Sequence, residues 1–188
     1  MASKLINLLC FQIGWWACVL GAASDQPLLG PAVVLVWTLL DRLILHKDFA
    51  SILLLPIAGL FGYLFDSALV LAGVFSFPSG ATLGGPSPLW MTALWINLAA
   101  TMDGILSGLQ RRYALSALVG FIGGPVAYYA GHRLGAINLS ESVLFSLSMI
   151  ALQWLIAMPL LFYFHQLLSK QFPNAGEAAK VHRRDWRY

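Results

Sequence analysis

The stretch from Ser51 to Leu109 reads SILLLPIAGLFGYLFDSALVLAGVFSFPSGATLGGPSPLWMTALWINLAATMDGILSGL. It consists of two apolar runs joined by a connection rich in Gly, Pro and Ser. Its charged residues are Asp66 and Asp103, two acids set within apolar sequence. An apolar run of about 20 residues is long enough to cross the hydrocarbon core of a bilayer as a helix. The stretch therefore predicts two membrane-spanning helices, each carrying one energetically costly acid.

The composition of the whole chain extends this prediction. Of its 188 residues, 59% are hydrophobic and 10% are charged, whereas soluble domains carry about 25% charged residues. Repeated apolar runs of spanning length are typical of a polytopic membrane protein. We predict an all-α fold of six transmembrane helices and a basic tail, at residues 5–23, 28–45, 51–75, 89–109, 113–134, 142–168 and 169–188.

The positions of the basic residues predict an orientation, because Lys and Arg are enriched in cytoplasmic loops. With six helices and the N-terminus inside, ten of the 11 Lys and Arg residues fall on the inner side, and Arg133 alone falls outside. We therefore expect both termini in the cytoplasm of a bacterium and a multi-pass protein of its inner membrane. The expected partners are membrane lipid and either a small-molecule ligand or another membrane protein, not nucleic acid.

The residues that usually bind metals or carry out catalysis are scattered. No pair of the four His and two Cys has the spacing His-x-x-x-His or Cys-x-x-Cys, so we expect no metal and no cofactor. Cys10 and Cys18 share the first apolar run, which is not a disulfide framework. No close Ser/His/Asp set is visible in the sequence, and an enzyme is therefore the less favoured interpretation.

Polar and aromatic side chains inside the predicted helices are the candidates for a binding site. Asp66 shares a helix face with Tyr63 and several small residues, and no basic residue lies near it in sequence. As a functional acid, Asp66 would couple proton binding to ligand binding or orient a polar head group; as a structural acid, it would tie neighbouring helices together. We predict an intramembrane polar and aromatic cavity for a ligand, lined by Gln12, Trp16, Tyr63, Asp66, Asn97 and Gln153.

Asp103 lies near the end of the fourth predicted helix, where Arg111 and Arg112 follow. The simpler interpretation of Asp103 is an interfacial acid paired with an arginine that reaches back to it. The 77–88 connection is either a plain surface loop or a lid that dips toward the bundle.

The fifth predicted helix is rich in glycine. Gly120, Gly123 and Gly124 predict close helix packing, because small residues let two backbones approach. Pro125 removes a backbone hydrogen bond, so the helix is either broken at membrane depth, as in many transporter binding sites, or simply kinked.

Several motifs together resemble the DUF2878 family of small bacterial integral membrane proteins. The resemblance extends over about residues 5–168, and one departure is Asp103-Gly104, where the family pattern has Asn-His. The family has no established activity, so the resemblance implies no catalytic residues. Genes of such proteins tend to lie near genes for fatty-acid modification, which by association suggests a lipid-linked role. The motifs are Phe11-Gln12-x-Gly14-Trp15, Phe77-Pro78-Ser79-Gly80, Pro88-Leu89-Trp90 and Gly123-Gly124-Pro125 with Tyr128 through Ala136.

Three hypotheses about function remain open at this stage. The favoured one is a carrier, or a ligand-binding membrane subunit, for a small or amphipathic molecule. The alternatives are a non-catalytic assembly subunit of a membrane complex and a lipid-modifying membrane enzyme. A ligand pocket would favour the first hypothesis, and a protein interface along the fifth helix would favour the second.

Overall fold

The structure is a computed structural model that describes residues 2–42, 49–78 and 81–173. The described residues form six α-helices, a short 3-10 helix at Ile105–Leu109 and two short strands. The predicted all-helical class is therefore confirmed, apart from the small ribbon that the strands make. The helices are α1 Ala2–Ala23, α2 Leu29–Leu40, α3 Phe49–Leu71, α4 Leu89–Ala99, α5 Tyr113–Arg133 and α6 Val143–Gln171; the strands are β1 Phe75–Ser76 and β2 Asn138–Leu139.

The helices form a bundle built from pairs of consecutive helices. The pairs α1–α2, α3–α4 and α5–α6 are packed hairpins. Helix α4 also packs against α1 and α2, and α6 packs against α3. By contrast, α1 and α5 make little direct contact. Helices α4 and α6 are therefore packed against their neighbours, whereas a gap lies between α1 and α5.

Four of the helices, α1, α3, α5 and α6, are long and apolar enough to cross a membrane. Only 28–39% of the residues in their most apolar segments are buried inside the protein. The remaining apolar side chains face outward, as expected for helices surrounded by lipid. The other two helices are apolar but short, with 12 residues in α2 and 11 in α4.

Helix α3 ends at Leu71, four residues before the predicted boundary. Gly73 adopts a left-handed conformation with φ +71°, and the Val74 amide donates to the Leu69 carbonyl at 3.0 Å. This is the geometry of a Schellman C-terminus, in which glycine avoids the penalty of a side chain at positive φ. The prediction that helix three extends to Phe75 is wrong, because Phe75 lies in β1.

Helix α4 ends at Ala99, ten residues before the predicted boundary, because a side chain from another helix competes for its backbone. The Asn7 amide donates to the Ala100 carbonyl and accepts from the Ile105 amide, both at 3.2 Å. The close approach needs Gly104, since a Cβ there would lie 2.2 Å from Asn7 Oδ1. A turn and the 3-10 helix replace the predicted continuation to Leu109.

Helix α5 is continuous through Pro125, which excludes the broken-helix alternative and leaves a continuous packed helix. A proline removes one backbone hydrogen bond, but the bonds of the turns on either side hold the 21-residue helix together. The remaining boundaries differ slightly from prediction: α1 begins at Ala2, and α6 continues to Gln171. Residues 43–45 of the predicted second helix and most of the tail, residues 174–188, lie outside the described residues.

The connection between α3 and α4 packs onto one end of the bundle, which we call the ribbon end. Strand β1 pairs antiparallel with β2, and Phe75 lies opposite Leu139. Trp90 donates its indole N–H to the Ala81 carbonyl at 3.2 Å, and Ala81 is fully buried. The connection thus combines the two predicted interpretations: it is a lid anchored to the bundle at Ala81, and its residues 82–86 are exposed as in a surface loop.

Candidate functional site

Asp66 on α3 is the centre of a buried hydrogen-bond network. Its Oδ1 accepts from Tyr128 Oη at 2.5 Å and from Gln153 Nε2 at 3.0 Å. Its Oδ2 accepts from Trp95 Nε1 at 2.8 Å. The three donors come from α5, α6 and α4, so one fully buried carboxylate links α3 to three helices. We call these four residues the Asp66 cluster.

Two stacked indoles lie next to the Asp66 cluster. The Trp95 and Trp154 rings are 4.5 Å apart between centroids and 10° from parallel. Glycines on α3 and α5 leave space for the two indoles. A Cβ at Gly62 would lie 1.9 Å from the Trp95 ring, and a Cβ at Gly124 would lie 2.3 Å from the Trp154 ring. The stack therefore depends on glycine at both positions, because any side chain there would collide with an indole.

Asn97 occupies a different face of α4 and joins different helices. Its Oδ1 accepts from Trp37 Nε1 on α2, and its Nδ2 donates to the Phe11 carbonyl on α1, both at 2.9 Å. A Cβ at Gly14 would lie 2.7 Å from Asn97 Oδ1, so α1 approaches closely through that glycine. Asn97 is fully buried and has its own partners, and it therefore serves as a tie between α1, α2 and α4.

Asp103 lies at the end of the bundle opposite the ribbon end. Its Oδ1 is 2.6 Å from His165 Nε2, and its Oδ2 is 3.6 Å from Arg42 Nη1. The expected pairing with an arginine is present, but that arginine comes from the end of α2 rather than from residues 111 and 112. The Arg42 side chain is almost completely buried and also donates to the Ala100 carbonyl at 3.0 Å. This network connects α2, α4 and α6.

A crevice of about 520 Å³ lies between α1 and α5, with α4 forming its floor. It runs from Leu8 to Val19 along α1, a distance of about 17 Å at 1.5 Å per residue. Five of the seven tryptophans of the chain line it. The lining includes Phe11, Gln12, Trp15, Trp16, Trp90, Leu94, Trp95, Thr101, Val119, Gly120, Gly123, Gly124, Val126, Ala127, Tyr128, Gly131 and Trp154.

The mouth of the crevice faces outward from the bundle. Trp16 and Val126, on its two sides, are 47% and 63% exposed. Because α1 and α5 are both long and apolar enough to cross a membrane, this mouth would open toward hydrocarbon in a bilayer that both helices span. A molecule dissolved in the bilayer would therefore reach the crevice from the side.

The polar groups of the crevice differ in whether they have partners. The Thr101 hydroxyl donates to the Leu98 carbonyl at 2.6 Å, and the Tyr128 hydroxyl donates to Asp66. The Gln12 side-chain amide, on an exposed residue, makes no hydrogen bond with any residue that the structure describes, and the buried Trp154 Nε1 has no hydrogen-bond partner there either. Among the described residues that line the crevice there is no charged side chain.

The structure divides the predicted ligand-binding residues among several places. Gln12 and Trp16 line the crevice, while Asp66 and Gln153 lie together behind its wall. Asn97 lies on the other side of α4, and Tyr63 lies beside the lid, where a Cβ at Gly85 would be 3.1 Å from its hydroxyl. The glycines at 120, 123 and 124 also line the crevice. The predicted set is therefore not one cavity.

Sequence reasoning missed Trp95 and Tyr128, which complete the Asp66 cluster. A signal for Tyr128 was present: Gly124 precedes it by four residues, just as Gly62 precedes Asp66. In both cases the glycine receives an indole, and the polar group one turn later joins the hydrogen-bond network. Nothing comparable in the sequence marks Trp95, because which indole faces Asp66 depends on how α3 and α4 pack.

Four helices long and apolar enough to cross a membrane, in a bundle held together by buried polar side chains, are typical of a helical membrane protein. The chain belongs to the family described as protein of unknown function (DUF2878), whose model matches residues 4–160. This match confirms the resemblance seen in the sequence motifs. The comparisons with curated proteins and with solved structures give no match.

Proposed function

We propose that the protein binds a hydrocarbon-chain ligand in the crevice between α1 and α5, as a carrier or as a ligand-binding subunit in the membrane. The observation that carries this proposal is the crevice itself, about 520 Å³ of space with aromatic walls. Ligand pockets typically measure about 300–1,000 Å³ and are lined mainly by apolar and aromatic side chains. The glycines of α5 keep one wall free of bulky side chains.

The width of the crevice favours a chain over a partner helix. A volume of about 520 Å³ over about 17 Å corresponds to a mean cross-section of about 30 Å². An α-helix with its side chains is about 10 Å across, which is about 80 Å². A single hydrocarbon chain fills this width more closely than a transmembrane helix of an assembly partner would. The dimensions suit a single extended hydrocarbon chain.

The chemistry of the walls gives no support to a lipid-modifying enzyme. Within the described chain, the crevice lining contains no carboxylate, imidazole, thiol or serine hydroxyl. Asp66, the nearest candidate for a general base, is fully buried and accepts three hydrogen bonds. A base must reach the proton that it removes, and Asp66 lies behind Trp95 and Tyr128.

The proposed topology has all six helices crossing a bacterial inner membrane, with both termini in the cytoplasm. The packing of consecutive helices into three pairs supports an even number of crossings. The basic residues support the orientation, because ten of the 11 Lys and Arg then lie on the cytoplasmic side. In this arrangement the ribbon end and its lid face away from the cytoplasm.

The proposal is tested by filling the crevice at Gly123. A Cβ at Gly123 meets nothing within 4 Å, and the residue lines the crevice, so Gly123→Leu adds bulk there without a collision. Gly108→Leu is the matched control, because Gly108 also has open space but lies outside the crevice. Each variant is purified in mild detergent, and its retained lipids are quantified by mass spectrometry.

We expect the wild type and Gly108→Leu to retain one lipid-like molecule per protein, and Gly123→Leu to retain roughly tenfold less. Overpacking costs about 1–3 kcal/mol, and about 1.4 kcal/mol corresponds to a tenfold change in binding. Equal thermal stability of the three proteins would show that the loss is not due to unfolding. Equal retention by all three would refute ligand binding in the crevice.

A further inference from the structure

We infer that the ligand of the crevice is a neutral, single-chain hydrocarbon bearing a hydroxyl or carbonyl oxygen, and that this oxygen lies beside Gln12. The inference rests on the proposed function and adds the chemical class of the ligand. Three observations carry it: the depth of Gln12, its lack of a partner within the described chain and the absence of charge in the described lining.

Gln12 places an amide at the middle of the membrane. It lies ten residues after the first residue of α1, about 15 Å along a helix of 22 residues. Its position is one turn from both Leu8 and Trp16, on the face of α1 that lines the crevice. An amide that faces hydrocarbon without a hydrogen bond is unfavourable. The unfavourable contact is relieved when the ligand supplies a polar atom at that depth.

Other amides in the bundle have at least one protein partner, although Gln153 Oε1 is buried without a hydrogen bond. Asn7 bonds to two backbone groups, Asn97 bonds to Trp37 and to the Phe11 carbonyl, and Gln153 donates to Asp66. Each of these side chains joins one helix to another. Gln12 is an exposed residue of the crevice lining and joins no other helix within the described chain, so its amide is accessible to a ligand.

The absence of charged side chains from the described lining limits which polar ligands fit the crevice. No Lys, Arg or His among the described residues lines the crevice, so a phosphate or carboxylate at the depth of Gln12 would lack a counter-charge. No Asp or Glu of the described lining would pair with a cation either. A glutamine amide both donates and accepts hydrogen bonds, which matches a hydroxyl or carbonyl oxygen.

The test compares three probes of equal chain length in protein reconstituted into phosphatidylcholine nanodiscs. The probes are pentadecane, pentadecan-8-one and pentadecanoate, whose extended chain is about 17 Å long with carbon–carbon bonds near 1.5 Å. Binding is followed by tryptophan emission, since five tryptophans line the crevice. We expect the ketone to bind the wild type roughly fivefold more tightly than the alkane, the gain of one hydrogen bond. Pentadecanoate should bind no better than the alkane.

Gln12→Leu should abolish the preference for the ketone and leave the affinity for pentadecane unchanged. Gln12→Met, which keeps an unbranched side chain, should behave in the same way. Equal affinity for ketone and alkane in the wild type, a preference that survives both substitutions, or tightest binding of pentadecanoate would each overturn the inference while leaving the crevice as a binding site. If no probe binds and Gly123→Leu changes nothing, the proposed function itself fails.

Discussion

Replacing Asp66 by leucine should destabilise the fold strongly. Leucine has a similar size but offers no acceptor to Trp95, Tyr128 and Gln153, which all donate to the carboxylate. Trp95 Nε1 can only donate a hydrogen bond. It lies between Asp66, which accepts its hydrogen bond, and Trp154, on which the Trp95 ring stacks. The substitution therefore leaves three buried donors without an acceptor, on three different helices.

The magnitude follows from the number of orphaned donors. A buried group that loses its hydrogen-bond partner costs about 1–3 kcal/mol, which gives about 3–9 kcal/mol for three. Hydrogen bonds between helices in membranes average only about 0.6 kcal/mol, so we expect the lower part of that range, about 3–5 kcal/mol. Asp66→Asn should cost less, about 1–2 kcal/mol. The oxygen of the introduced amide can accept from Trp95 while its NH₂ group donates to a reoriented Gln153.

The measurement is the unfolding free energy in mixed micelles of sodium dodecyl sulfate and dodecyl maltoside, followed by circular dichroism. Tyr128→Phe in the wild type and in Asp66→Asn completes a double-mutant cycle. We expect Tyr128→Phe to cost about 1.5–3 kcal/mol in the wild type, the value for a hydrogen bond to a charged group, and close to nothing in the Asp66→Asn background. If Asp66→Leu is no less stable than Asp66→Asn, the carboxylate does not hold the helices together and the reasoning is wrong.

Three further predictions concern packing and topology. Gly120→Leu should reduce thermal stability sharply, because a Cβ there would lie 2.4 Å from the backbone of α6, while Gly123→Leu should not; equal melting temperatures would contradict this. Asn97→Leu should destabilise by about 2–4 kcal/mol in the same micelle assay, since it leaves two buried hydrogen bonds unmade; an unchanged value would show that α1 and α2 dock without it. Reporter fusions after Gly80 and after Lys180 should lie on opposite sides of the membrane, and the same side for both would exclude the proposed topology.

The sequence predicted the helices and the importance of Asp66 because both depend on local composition. An apolar run is visible in any window, and an acid inside such a run stands out without knowledge of its neighbours. The sequence predicted the end of α4 wrongly, and it did not decide between a broken and a continuous α5, for the opposite reason. Asn7 from α1 ends α4 through a tertiary hydrogen bond, and Pro125 fails to break α5, so at both points the contacts of the folded bundle override the local signal.

The sequence also did not predict how the polar residues are divided between different helix contacts. Asp66 and Asn97 both lie in apolar runs, but they face different helices because Trp95 and Asn97, two residues apart on α4, point in nearly opposite directions. Only the packing of α4 at the centre of the bundle decides which face meets α3 and which meets α1. The predicted single cavity is therefore resolved into a structural network on one side and a crevice beside it.

Hydrogen bonds between buried polar side chains and neighbouring helices bear on why a crevice lies between α1 and α5. Lipid chains are as apolar as leucine, so no hydrophobic force closes a gap between two transmembrane helices. The positions of α1 and α5 must instead be set by directional contacts with other helices. Asn7 and Asn97 bond α1 to α4, and Tyr128 bonds α5 to Asp66 on α3. These bonds fix α1 against α4 and α5 against α3, and under the proposed function a hydrocarbon chain fills the crevice that lies between α1 and α5.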